Sequence, residues 1–188
     1  MSKQQNKAIF LDRDGVINVD HAYVHKVEDF EFIDGVFEAC QQFIAQGYII
    51  VVVTNQSGIG RGYYDQQQFA TLSEWMCGEF AKHQVTISKV YYCPHHPEKA
   101  LPEFQKECDC RKPSPGMLNE AIAEFDIDVS ESVMVGDKLS DIEAARAAGV
   151  NLAILVESGQ SFSDEAKRQA DHVCTSLSQV PALLPLVS

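Results

Sequence analysis

No hydrophobic run in the sequence is long enough to cross a bilayer, which predicts a chain with no membrane span. The opening stretch from Met1 to Lys7 is polar and carries no apolar signal core, so a cytoplasmic location is expected. A basic surplus is also missing. Fifteen Lys and Arg stand against 27 Asp and Glu, a formal net charge of −12, which argues against a nucleic-acid backbone or an anionic membrane as partner and leaves a small molecule. Fixed-period repeats, low-complexity tracts and interdomain linkers are absent as well, which excludes solenoids and strings of domains. With 188 residues, 45% of them hydrophobic, residues 1–188 are expected to form one domain with a substantial core, and a monomer is the default expectation.

Short, mostly unalternated β-rich runs are present at residues 8–11, 48–53, 90–92, 133–135 and 152–156. Such runs read as strands buried on both faces. Between them, apolar stripes at helical spacing include Val36, Phe37, Cys40, Phe43 and Ile44, closed by Gly47. Phe69, Leu72, Met76 and Phe80 form another stripe, and Leu118, Ile122 and Phe125 a third. Alternation of this kind predicts an α/β fold with a mostly parallel sheet, right-handed crossovers and a ligand site beyond the carboxyl ends of the strands. Residues 15–34 and 93–115 break the pattern and read as loops above the sheet. The tail from Ser158 reads as a short helix, a strand near His172 and a final amphipathic turn, all structural.

Polar motifs fall at the predicted strand ends. Asp12 and Asp14 follow the first strand two residues apart, so in extended chain they share a face. Two carboxylates so placed repel unless a cation lies between them, and a hard oxygen site of this type suits magnesium. The competing account is a polar turn closed by Gly15. The second strand ends in Thr54, Asn55, Gln56 and Ser57, a hydroxyl and amides where an anion could lie. After the fourth strand, Asp137 could complete a magnesium site and Lys138 could face a phosphate, although Asp137 or Ser140 could instead cap a helix. Lys112 precedes a helix start marked by Pro113, Pro115 and Gly116, and alone it reads equally as a surface lysine.

Taken together and in this order, these motifs resemble those of the haloacid dehalogenase superfamily of phosphohydrolases. Asp12 and Asp14 match its Asp-x-Asp motif, Thr54 its Ser/Thr, Lys112 its Lys, and Asp137 with Asp141 its acidic motif. The resemblance implies a Rossmann-like domain in which Asp12 is the nucleophile, Asp14 the general acid and base, and Thr54 and Lys112 hold phosphoryl oxygens. Magnesium would sit on Asp12, the backbone carbonyl of Asp14 and Asp137. Val16 departs from the threonine that many members carry there, and valine supplies no hydroxyl. A branched residue substitutes if that position only packs beneath the loop.

Cys93, His95, Cys108 and Cys110 form two Cys-x-(His/Cys) pairs, a closed tetrahedral zinc set with His96 as a spare. With no open position, such a zinc is structural and orders the loop that carries Arg111 and Lys112. Reduced thiols on a loop are the competing account. Cys40, Cys77 and Cys174 lie on apolar patterns and read as core. The spacing between motifs leaves no room for a cap domain, so the flap Asp20, His21, Ala22 and Tyr23 is expected to select substrate together with the zinc loop. Over nearly its whole length the chain resembles the heptose bisphosphate phosphatases, which implies a small sugar bisphosphate substrate, a place in bacterial lipopolysaccharide biosynthesis, and substrate contacts from Arg111 and Lys138. Histidinol-phosphate phosphatase is the nearest alternative. A non-catalytic zinc-bearing module is the alternative from another class.

Overall fold

The computed structural model describes residues 5–185; most of the polar opening stretch, Met1 to Gln4, lies outside them. Six strands, β1 Lys7–Leu11, β2 Tyr48–Asn55, β3 Ile87–Cys93, β4 Val133–Gly136, β5 Leu152–Val156 and β6 His172–Cys174, form one all-parallel sheet in the order β3-β2-β1-β4-β5-β6. The order reverses at β1, between β2 and β4. In an open α/β sheet that reversal opens a crevice above the strand ends. Among the described residues no helix is long and apolar enough to cross a membrane.

The unalternated strands are explained by helices on both faces. Ile9 and Leu11 of β1, with Ile50 and Val52 of β2, pack into a core shared with α1 Val36–Ala45 and α3 Gln66–Lys82. Ala8 and Phe10, with Val51 and Val53, point the other way into a core shared with α4 Gly116–Phe125, α5 Leu139–Ala147 and α6 Asp164–Gln169. A one-turn helix, α2 Ser57–Gly60, follows β2. The helix ends obey local chemistry. Asp65 and Gln68 form a reciprocal capping box at the start of α3. Gly47, at φ +86°, turns the chain after α1 and donates its N–H to Ile44 O.

The loop after β1 is better packed than its composition suggests. Val16, Ile17 and Asn18 are fully buried, so the valine that replaces the common threonine fills the core beneath the loop. Cys40 and Cys174 are buried as expected, and Cys77 is partly so. The chain after Ser158 departs from a purely structural tail: Ser158 Oγ donates to Gly15 O at 2.8 Å, and Gln160 N–H donates to Asp137 at 3.1 Å. Sequence patterning showed only the helix and strand that follow, because a short polar turn carries no period.

Backbone and carboxylate meet closely at β4. A Cβ added to Gly136 would lie 2.2 Å from Asp141 Cβ, and both residues are fixed within the core. Gly136→Ala is therefore expected to lower stability by about 1–3 kcal/mol in urea denaturation. An unchanged midpoint would contradict this packing.

Candidate active site

At the crevice beside β1, the carboxyl ends of β1, β2 and β4 bring together a cleft of about 460 Å³. Its walls include Asp12, Asp14, Asp20, Tyr23, Arg111 and Lys138. Beneath it, carboxylate oxygens of Asp12, Asp137 and Asp141 lie within 4.8 Å of one another, and all three residues are buried. Lys112 closes this group. Its Nζ donates to Asp141 Oδ1 at 2.6 Å and to Val53 O at 2.8 Å, and lies 3.1 Å from Asp12 Oδ1. Burial disfavours the ammonium, but Asp12 and Asp141 outweigh it and hold the lysine pKa above its ordinary value.

One ammonium does not neutralise three carboxylates. Burial, then the charges of Asp12 and Asp141, push Asp137 up to about 8, and Asp137 Oδ1 is buried with no hydrogen-bond partner. A buried acceptor without a partner is costly, and a cation answers both the charge and the orphaned oxygen. Neither Asp137 nor Ser140 caps α5. Asp141 does so, with Oδ2 accepting the N–H groups of Asp137 and Lys138. Its buried place was not evident from sequence, where it was the last letter of a motif.

Asp14 is held apart from the carboxylate cluster. Oδ1 accepts from Arg13 at 2.7 Å and from Asn18 at 3.0 Å, and Oδ2 accepts from Gln56 at 3.0 Å. Burial raises its pKa, but Arg13 and the three hydrogen bonds prevail, so the group lies below its ordinary value. Arg13 is 1% exposed, donates also to Val24 O, and lies 5.8 and 5.9 Å from the rings of Phe30 and Phe69. A buried guanidinium beside a half-buried carboxylate was missed in the sequence because an arginine inside a turn motif reads as surface.

The second strand end divides its roles. Thr54 is 1% exposed and accepts a hydrogen bond from Gln56 at 2.9 Å. Asn55 lines the cleft, but its amide brackets the backbone of Lys112, donating to Lys112 O at 3.1 Å and accepting Lys112 N–H at 3.0 Å. Ser57 lines the cleft. On the flap, Asp20 Oδ1 accepts the N–H of Ala22, and Oδ2 takes Gln160 Nε2 at 2.8 Å with Lys138 Nζ at 3.8 Å. Ala22 and Tyr23, both at positive φ, follow and face the cleft. The Tyr23 ring meets Tyr63 edge-on at 4.8 Å. His21 is placed differently from the rest of the flap: it is exposed, pairs with Glu31 at 3.0 Å and does not line this cleft. Beside it, Gln160 joins the wall from the tail.

Past β3, Cys93, His95, Cys108 and Cys110 converge with all ligand atoms within 4.8 Å. Cys110 Sγ lies 2.9 Å from Cys93 Sγ and 3.4 Å from both Cys108 Sγ and His95 Nδ1, and the three cysteines are free of disulfides. Three soft thiolates and an imidazole at these spacings are compatible with zinc. His96 is turned away, its Nδ1 accepting the N–H groups of Glu98 and Lys99. Arg111 ties the cluster to the cleft by donating to His95 O at 3.3 Å.

The fold and the acidic strand-end site are those of a haloacid-dehalogenase-like hydrolase, and residues 109–180 match the HAD-hydrolase-like family model. Over 178 residues the chain is 49% identical to the D-glycero-β-D-manno-heptose-1,7-bisphosphate 7-phosphatase of Pasteurella multocida strain Pm70, covering 95% of this chain and 96% of that one. The enzyme of the same name from Escherichia coli K12 is 52% identical over 174 residues, 93% of this chain and 91% of that one. A crystal structure of D,D-heptose 1,7-bisphosphate phosphatase from B. bronchiseptica, complexed with magnesium and phosphate, superposes with a TM-score of 0.81 at 31% identity, covering 94% of this chain and 97% of that one. The chain belongs to the heptose-1,7-bisphosphate 7-phosphatase family of haloacid-dehalogenase-like hydrolases.

Charge balance beneath the cleft makes a direct prediction. Lys112→Met leaves the buried carboxylates without their ammonium and is expected to cost about 3–5 kcal/mol at pH 7.5 in chelator. The loss shrinks at pH 5, because Asp141, raised by burial and no longer opposed by Lys112, takes up a proton as the pH falls. Urea denaturation at the two pH values measures it, and an equal loss at both would contradict this electrostatic account.

Proposed function

We propose that the chain removes the 7-phosphate of D-glycero-β-D-manno-heptose 1,7-bisphosphate through an aspartyl-phosphate on Asp12. The observation that carries the reading is the buried Asp12, Asp137 and Asp141 cluster, closed by Lys112 and open to the cleft on one side. The relatives at 49% and 52% identity supply the substrate and its β anomer, and a place in heptose activation for lipopolysaccharide fits that substrate. Asp12 attacks phosphorus in line and the sugar oxygen leaves, which divides one hard displacement into two easier ones. Lys112, 3.1 Å from Asp12 Oδ1, pairs with the nucleophile and meets the phosphoryl oxygens.

Asp14 serves the proton transfers. Held as a carboxylate by Arg13, Asn18 and Gln56, it is ready to take a proton from the water that opens the acyl phosphate. Delivery of a proton to the departing sugar oxygen requires that this grip loosen when substrate enters. The donor set of Asp12, Asp137 and the Asp14 carbonyl suits magnesium, which when bound offsets the like charges of nucleophile and phosphate. Arg111 and Lys138, both lining the cleft, face the phosphate that is kept, and the arginine fork suits two oxygens at once. Asp20, Ala22 and Tyr23 shape the sugar pocket. Zinc on Cys93, His95, Cys108 and Cys110 orders the loop and fixes Arg111 and Lys112 without taking part in chemistry.

Phosphate release from the heptose bisphosphate and from histidinol phosphate, each with magnesium and with chelator, tests the reading. The bisphosphate is expected to be favoured by about 100-fold or more in kcat/KM, with turnover lost in chelator. Equal rates, or no release from the bisphosphate, would overturn the substrate. Asp12→Asn should reduce turnover by about 10⁴-fold or more with an unchanged melting temperature.

Bound metal supplies a separate check on the loop. Cys108→Ser should lose zinc by elemental analysis and melt at lower temperature. Full zinc occupancy in that variant would show the ligand set to be wrong.

A further inference from the structure

Gln56 spends both amide protons and one lone pair of its amide oxygen on protein groups. Nε2 donates to Asp14 Oδ2 at 3.0 Å and to Thr54 Oγ1 at 2.9 Å, and Oε1 accepts the Tyr64 hydroxyl at 2.5 Å. An amide nitrogen has two protons, so both are in use, and the residue is 2% exposed. Which end of the amide faces which neighbour is fixed from two sides. Reversal would set Oε1 against the Asp14 carboxylate and leave the Tyr64 hydroxyl facing a donor.

Tyr64 is itself clamped. One side of the ring rests on bare backbone, since a Cβ on Gly58 would fall 2.2 Å from Tyr64 Cε1. His25 stacks on it with ring centroids 4.9 Å apart and planes 5° from parallel. Burial holds the phenol pKa well above its ordinary value, and the nearby Arg13 only partly opposes this, so the hydroxyl keeps its proton and donates.

The consequence falls on Thr54. A hydroxyl has one proton and two lone pairs, and Gln56 already fills a lone pair. Thr54 makes no other side-chain hydrogen bond among the described residues, so its proton remains to be given. We propose that Gln56 is a positioning residue which, latched by Tyr64, makes Thr54 a hydrogen-bond donor to the phosphoryl group while anchoring Asp14. This rests on the phosphatase reading above; Gln56 and Tyr64 also line the cleft, and the role assigned to them is to hold Thr54 and Asp14. One amide thus couples the group that grips phosphate to the group that moves protons.

A double-mutant cycle on phosphate affinity isolates the coupling. Binding of inorganic phosphate in the presence of magnesium is measured by calorimetry for the parent, Thr54→Val, Gln56→Glu and the double variant. In the parent, Thr54→Val is expected to weaken binding about tenfold, the scale of a hydrogen bond to a charged group. In the Gln56→Glu background the same change should cost less than about twofold, because the introduced carboxylate accepts the hydroxyl proton and turns it from phosphate. Equal costs in the two backgrounds overturn the proposal.

Tyr64→Phe supplies an independent cycle should Gln56→Glu fail to fold. It is expected to weaken phosphate binding about threefold when Thr54 is present and not when Thr54→Val is combined with it. The same weakening in both overturns the proposal. Failure of the parent to turn over the heptose bisphosphate would count against the functional reading and not against these cycles.

Discussion

Three buried carboxylates drawn toward one ammonium set the terms for the rest of the site. Asp12, Asp137 and Asp141 come from the ends of two neighbouring strands and the first turn of α5, and Lys112 reaches them from the loop before α4. Like charges at this depth are tolerated only when something opposes them. The fold supplies one opposing charge and leaves Asp137 protonated near neutrality, with one oxygen lacking a partner. That deficit ties the parallel sheet to its chemistry: a cation and an anionic phosphate together complete a charge balance which the chain alone leaves open.

Supporting structure follows from keeping this group in place. Lys112 is fixed by its own backbone, which Asn55 brackets, and by the cysteine and histidine cluster just before it in the chain. Asp141 is fixed by backbone donors at 137 and 138, and Gly136 lacks the Cβ that would displace it. Asp14, two residues from Asp12, is kept out of the cluster by Arg13, Asn18 and Gln56. Two carboxylates close in sequence therefore acquire different environments, as a nucleophile and a proton carrier require.

Strand positions were legible in the sequence because burial on both faces leaves an unbroken apolar signature, as at β1 and β2. The strand ends carried the site for the same reason, since polar residues immediately after such runs have few other places to go. Less legible was everything that depends on long-range partners. Gln56 read as a ligand contact and does line the cleft, but its amide protons are held by Asp14 and Thr54 and its oxygen takes the Tyr64 hydroxyl; His21 read as part of the cleft and faces Glu31 instead. Arg13 and Gln160 gave no periodic or spacing signal, and their places follow from tertiary packing alone. The cysteine and histidine spacing, by contrast, is a local pattern, and its four residues converge.

Proton linkage to magnesium binding tests the central charge argument most directly. Asp137, pushed up to about 8, is mostly protonated at pH 7, and a cation that binds its carboxylate must displace that proton. Calorimetric titration of magnesium at pH 7, in buffers of different protonation enthalpy, should show release of about one proton per ion, and Asp137→Asn should abolish the release. Magnesium binding without proton release, or the same release from Asp137→Asn, would contradict the account.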